Sequence, residues 1–161
     1  MRFTWKAIGA AMVCLAMFGC GDGGSNAVND SYVFPAGKTT LAFTALSTAQ
    51  LPASISGIDF IIALPQGMNV TTSGGTAQIE STSVTPGAAM TGTNLAFGSY
   101  STTSNKAYLS MVTTSNTYRA GEFLRLSCNV AANTSITLGD LKALNAPVTL
   151  RKVAGYDPVT Q

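Results

Sequence analysis

Over most of the chain the hydrophobic positions fall on a period of two, the spacing that places every second side chain of a β-strand on one face. The clearest run lies within residues 56–70, where Ile58, Phe60, Ile62 and Leu64 share one face. Gly57 precedes this run and Pro65-Gln66-Gly67 follows it, so both the entry and the exit of the strand are marked. Residues 39–45 place Leu41, Phe43 and Ala45 together, and residues 51–56 lead into the central strand. Residues 68–72 and 77–83 read as a strand pair around Ser73-Gly74-Gly75-Thr76, whose glycines supply the positive φ angles of a tight hairpin.

Pro86-Gly87 turns the chain again, and residues 94–100 and 106–113 form two more strands across a polar connection at 101–105. After Ala120-Gly121 the alternation is cleanest: Leu124, Leu126, Cys128 and Val130 are apolar, while Arg125, Ser127 and Asn129 between them are polar. Residues 137–144 are the one candidate for a helical turn, with Leu138, Leu141 and Leu144 three apart and Thr137 placed to cap it. Gly139 within that stretch leaves a loop open as the alternative, and Asn145-Ala146-Pro147 ends it before a last strand at 148–153. Eight or nine strands spaced by about ten residues, with Gly, Ser and Thr in the turns, predict an all-β fold, an antiparallel β-sandwich of the jelly-roll kind. A barrel is the alternative; a membrane-spanning one would need lipid-facing apolar bands, and the second face here is mostly Ser, Thr and Asn.

Composition adds an address. The 161 residues are 46% hydrophobic and only 10% charged, with no His, which suits one β-rich extracytoplasmic domain. Arg2 and Lys6 precede an apolar run from Ala7 to Phe18 that is too short to span a bilayer, so residues 1–19 read as a cleavable signal peptide. Met17-Phe18-Gly19-Cys20 resembles a bacterial lipobox, which makes Cys20 the acylated first residue of the mature protein and the membrane a partner through that lipid. Met17 and Phe18 depart from the usual Leu and small residue of that motif. Residues 20–31 then form a small, polar, Gly-rich linker to a domain at 32–154, with 155–161 as a C-terminal tail. The expected location is the envelope of a bacterium, at the outer membrane or cell surface.

Losing Arg2 and Lys6 leaves seven basic residues against seven acidic ones, so the formal charge of +2 belongs to the signal and no basic patch argues for nucleic acid. With Cys14 discarded and Cys20 acylated, Cys128 is alone, which excludes a disulfide framework. Its place among Leu124, Leu126 and Val130 predicts a buried thiol rather than a reactive one.

Two motifs carry a family resemblance. Gly57-Ile58-Asp59-Phe60 running to Leu64-Pro65-Gln66-Gly67-Met68-Asn69-Val70, together with Ala120-Gly121-Glu122-Phe123-Leu124 running to Cys128-Asn129-Val130-Ala131-Ala132, resembles the cohesin-type sandwich. That family shares its architecture with several carbohydrate-binding modules. The resemblance covers roughly residues 32–153 and implies recognition of protein or sugar, without choosing between them.

Catalytic chemistry finds few supports. The absence of His removes the commonest general base and any His-containing metal site, so no catalytic residue, metal or cofactor is expected. The acidic residues beyond the linker are scattered; Glu80 and Glu122 would be the pair to choose for glycoside hydrolysis, and each reads more simply as a solvated residue. The Gly-rich runs at 21–24 and 73–75 lack the Lys and helix of a phosphate-binding loop. Binding is therefore the expected activity, through Tyr100, Tyr108 and Tyr118 if a shared aromatic patch forms, since the only Trp, Trp5, lies in the signal; packing of each Tyr into the core or at a sheet edge is the alternative. The expected partner is a protein or polysaccharide of the envelope. A structural subunit that assembles with copies of itself is the alternative.

Overall fold

An alternating segment becomes a stable strand when its apolar face finds a second layer to bury against, and here the alternating runs supply that layer for each other. The computed structural model describes residues 29–45, 54–146 and 149–156, together with the short strand Met12–Cys14. Residues 1–11, 15–28, 46–53, 147–148 and 157–161 lie outside the described residues, and with them Cys20, nearly all of the expected signal and linker, and the first residues of the expected strands at 51–56 and 148–153.

Two antiparallel sheets form the molecule. The first contains β1 (Met12–Cys14), β2 (Gly37–Ala45), β8 (Gly121–Val130) and β4 (Met68–Asn69) in that order, with β5 (Val84–Pro86) also paired to β8. In the second the order is β6 (Asn94–Ser101), β7 (Lys106–Thr113), β3 (Ser54–Ala63) and β9 (Thr149–Tyr156). The helix α1 (Leu138–Leu144) joins β8 to β9 and so carries the chain from one sheet to the other. The fold is an all-β antiparallel sandwich.

The central strand behaves as its pattern predicts. Ile58, Phe60, Ile62 and Leu64 are all at most 4% exposed, and they face Leu41 and Phe43 of β2 and Leu124 and Leu126 of β8 in one core. An aromatic cluster ties the layers together: Phe60 meets Phe43 at 4.9 Å and Phe123 at 5.5 Å between ring centroids, both edge to face. Phe123 reaches this cluster because the register of β2 and β8 slips between Phe43 and Thr44, opposite residues 122–124. Such a bulge turns two consecutive side chains, Phe123 and Leu124, toward the core.

Residues 77–83 depart from the expected hairpin. Ser73 donates its N–H to Gln78 and Thr76 donates to Ser73, so the tight turn forms, but pairing beyond it is limited to the bridge between Thr72 and Ile79. The chain then leaves for the other sheet, where Ile79 donates to Gly98 and Tyr100 donates to Ala77 along the edge of β6. Strand pairing with β8 resumes only at β5. The final strand runs to Tyr156, past the expected boundary at 153, by pairing with β3 as far as Ser54.

The candidate helical turn is a helix with a capping box. Thr137 Oγ1 accepts the Asp140 N–H at 3.1 Å, and Asp140 Oδ2 accepts the Thr137 N–H at 2.8 Å. Leu138 and Leu141 are buried beneath it, while Leu144 is exposed. Among the described residues no helix is long and apolar enough to cross a membrane.

Candidate functional site

Strand register decides what the three tyrosines can do. Tyr100 of β6 lies opposite Ala107, whereas Tyr108 of β7 lies opposite Ser99. Opposed residues share a face and neighbours along a strand do not, so Tyr100 and Tyr108 point to opposite sides of the same sheet. Tyr100 enters the core, where its hydroxyl donates to Asn105 Oδ1. Burial is the main reason its pKa is raised, with the nearby Cys128 adding to the effect. Tyr118 is also buried, its hydroxyl donates to the Gly121 carbonyl at 2.9 Å, and burial raises its pKa strongly. Only Tyr108 remains half-exposed, so the expected shared patch does not form.

The surface that does stand out is the outer face of the β6–β7–β3 sheet. Leu95 of β6 is 59% exposed and lies opposite Val112 of β7, which is 48% exposed. Phe97, 42% exposed, is two residues along on the same face, opposite Ser110, and the next row places Ser99 beside Tyr108 and Ile61. Asp59 sits opposite Ser110 on β3, so one carboxylate lies in the middle of the apolar rows. Three of the five large exposed hydrophobics among the described residues are here.

The inward face of β6 explains why. It carries Ala96 and Gly98 where larger residues would be expected, and a Cβ at Gly98 would lie 2.6 Å from the Tyr108 carbonyl oxygen and 2.9 Å from a Leu109 methyl. A side chain has no room at Gly98, and the large inward residue of the strand is Tyr100 at its far end. Over residues 95–98 the strand thus turns half-buried Ala96 and Gly98 inward and presents Leu95 and Phe97 outward, a local inversion of the usual pattern. The sequence carried this signal in the alternation of large and small apolar residues over 94–98, but alternation alone does not say which face is inside.

The acidic pair is not arranged as free chemistry on the Glu122 side. Glu122 Oε1 accepts from Arg125 Nε at 2.6 Å and from the Ala88 N–H at 3.0 Å, which ties the start of β8 to the turn after β5. Hydrogen bonding to Glu122 is the first cause of the raised Arg125 pKa. Among the described residues no group of three or more His, Cys, Asp or Glu side chains could hold a metal ion. Cys128 is a free thiol, wholly buried, and burial pushes its pKa up to about 12. A protonated thiol in that setting is a poor nucleophile.

Comparison with protein-family models, with curated proteins and with solved structures returns no match to this chain.

Proposed function

We propose that this protein is a non-catalytic binding module, held at a bacterial cell envelope by a lipid on Cys20, that recognises a protein or polysaccharide of that envelope. The reading rests on the outer face of β6 and β7, where Leu95, Phe97 and Val112 stand half in water beside one another. Contiguous apolar surface of this kind costs solubility and marks interaction sites. Phe97 and half-exposed Tyr108 offer rings on which a sugar could stack, and the aliphatic Leu95 and Val112 suit a protein surface better. The resemblance to cohesin-type and carbohydrate-binding sandwiches supports the same class of role.

Affinity capture from native membranes, run beside a glycan array, tests the proposal. Retention of one envelope protein or one glycan class by the native chain, and its loss in Phe97→Ala and Leu95→Ser, is the expected outcome; identical capture by all three chains would refute the face. The anchor is tested separately by fatty-acid labelling, which Cys20→Ser should abolish.

A second reading, an assembly subunit, is favoured by the far edge of β2. Among the described residues its only strand partner there is Met12–Cys14, which lies within the expected signal. Lys38 guards only the start of this strand, and residues 39–45 contain no charge and no Pro, the usual guards of an exposed edge. Concentration-dependent dimers of the processed chain that vanish in Thr44→Lys would support this reading over the first.

A further inference from the structure

The two ends of the sandwich differ, and the end that receives the linker has its own surface chemistry. Residues 29–34 are stitched to the helix end of the fold: Phe34 donates to the Ile136 carbonyl, Leu138 donates to Tyr32, Gly139 donates to Asp30, and Lys142 Nζ meets Asp30 Oδ1 at 2.6 Å. Val33 is 49% exposed there, in a β-bridge with Thr137, and Leu144 is 53% exposed in the last turn of α1. Lys106 and Lys38 belong to the same end. Lys106 lies opposite Ala63, whose backbone is bonded to Asn145 beside Leu144, and Lys38 lies opposite Asn129 near the end of β8. Both lysines are exposed and meet no carboxylate among the described residues.

Covalent length brings this end to the membrane. Eight residues separate Cys20 from Asn29, and a chain of that length reaches no more than about 30 Å when fully extended. Ten-residue strands such as β3 are themselves about 33 Å long, so the opposite end of the sandwich cannot substitute for this one without the leash being drawn tight. A surface held so close is met at an effective concentration on the order of millimolar, where contacts too weak to recruit a free protein are populated.

From these placements we infer that the linker end of the sandwich docks on an anionic lipid surface, with Val33 and Leu144 entering the headgroup boundary and Lys38 and Lys106 facing lipid phosphates. The inference rests on the lipid-anchor reading above. It explains two exposed apolar residues that the β6–β7 face does not use, and it holds that face clear of the membrane for its ligand. Lysines near such a surface act within a Debye length, so the docking weakens with salt and in neutral lipid.

Trp5, the sole tryptophan, lies in the expected signal, so a tryptophan placed in the processed chain is the only one present. Protein purified from membranes as Val33→Trp, Leu144→Trp or, for comparison, Leu95→Trp is reconstituted in phosphatidylcholine vesicles containing phosphatidylglycerol and a brominated lipid. Emission from the first two should be quenched several-fold more than from the third, and the difference should shrink in phosphatidylcholine alone and in Lys38→Glu/Lys106→Glu. Equal quenching at all three positions would overturn the inference. Recovery of the protein with no acyl group at Cys20 would instead defeat the anchor reading. Cys20 of the processed chain is then coupled to a maleimide lipid, which buried Cys128 does not intercept, and the same comparison decides the docking.

Discussion

At the scale of single residues, Cys128 shows how burial fixes chemical character. Nothing in its strand is polar on the inward face, and the thiol is wholly buried with its pKa pushed up to about 12. It should therefore resist alkylation in the native protein at neutral pH and react only on unfolding, as a thiol-reagent time course in rising urea would record. Since the folded value lies above the ordinary 9.0, the fold holds that proton more tightly than the unfolded chain does. This contribution to stability is complete below pH 9 and is lost as the pH rises toward 12. Tyr100 and Tyr118, both raised by burial, act with the same sign. Urea midpoints measured across that interval should fall with pH for the native chain and less steeply for Cys128→Ala. Cys128→Ser should cost about 1–3 kcal/mol at neutral pH, because a hydroxyl loses water there without gaining a partner.

Secondary-structure elements show where pattern sufficed and where it did not. The period-two runs over 58–64, 106–113 and 124–130 were legible because burial of one face is the dominant constraint on a sandwich strand. Phe123 escaped that reading, since a bulge breaks the parity that alternation depends on. Whether Tyr100 and Tyr108 share a patch or pack separately is not legible for a related reason: which residues share a face depends on register, and register is set by long-range pairing. Asn145 opens the Asn-Ala-Pro break after the helix, yet its side chain acts as a substitute strand. It accepts the Ala63 N–H and donates to the Ala63 carbonyl, both at 2.8 Å, beyond the point where β9 stops pairing with β3, and it also bonds the Leu141 carbonyl. Asn145→Ala should thus cost about 1–3 kcal/mol and speed hydrogen exchange at the Ala63 amide. Thr137→Ala removes half of the capping box and should cost about 1 kcal/mol. Asp140 contributes through the same box: hydrogen bonds from the Thr137 hydroxyl and N–H hold its carboxyl below the ordinary value, so its share of stability is present above pH 4 and lost in acid.

On the scale of the whole molecule, the core and the outer face of the β6–β7–β3 sheet respond to the same kind of substitution in opposite ways. Phe60 contacts Phe43 and Phe123 from the other layer, so Phe60→Ala opens a cavity at the junction of both sheets and should cost about 3–5 kcal/mol. Leu95 and Val112 are half in water already and lie opposite each other, so replacing both by Ser removes only a cross-strand apolar pair, a change of under about 1 kcal/mol. If their exposure serves recognition, that double variant should keep the native unfolding midpoint and lose the captured partner, whereas Leu109→Ser on the inward side of β7 should lose stability first. Midpoints and capture measured on the same preparations separate these outcomes. A double variant that unfolds early would mean that Leu95 and Val112 hold the sheet together, and one that binds normally would move recognition to another surface.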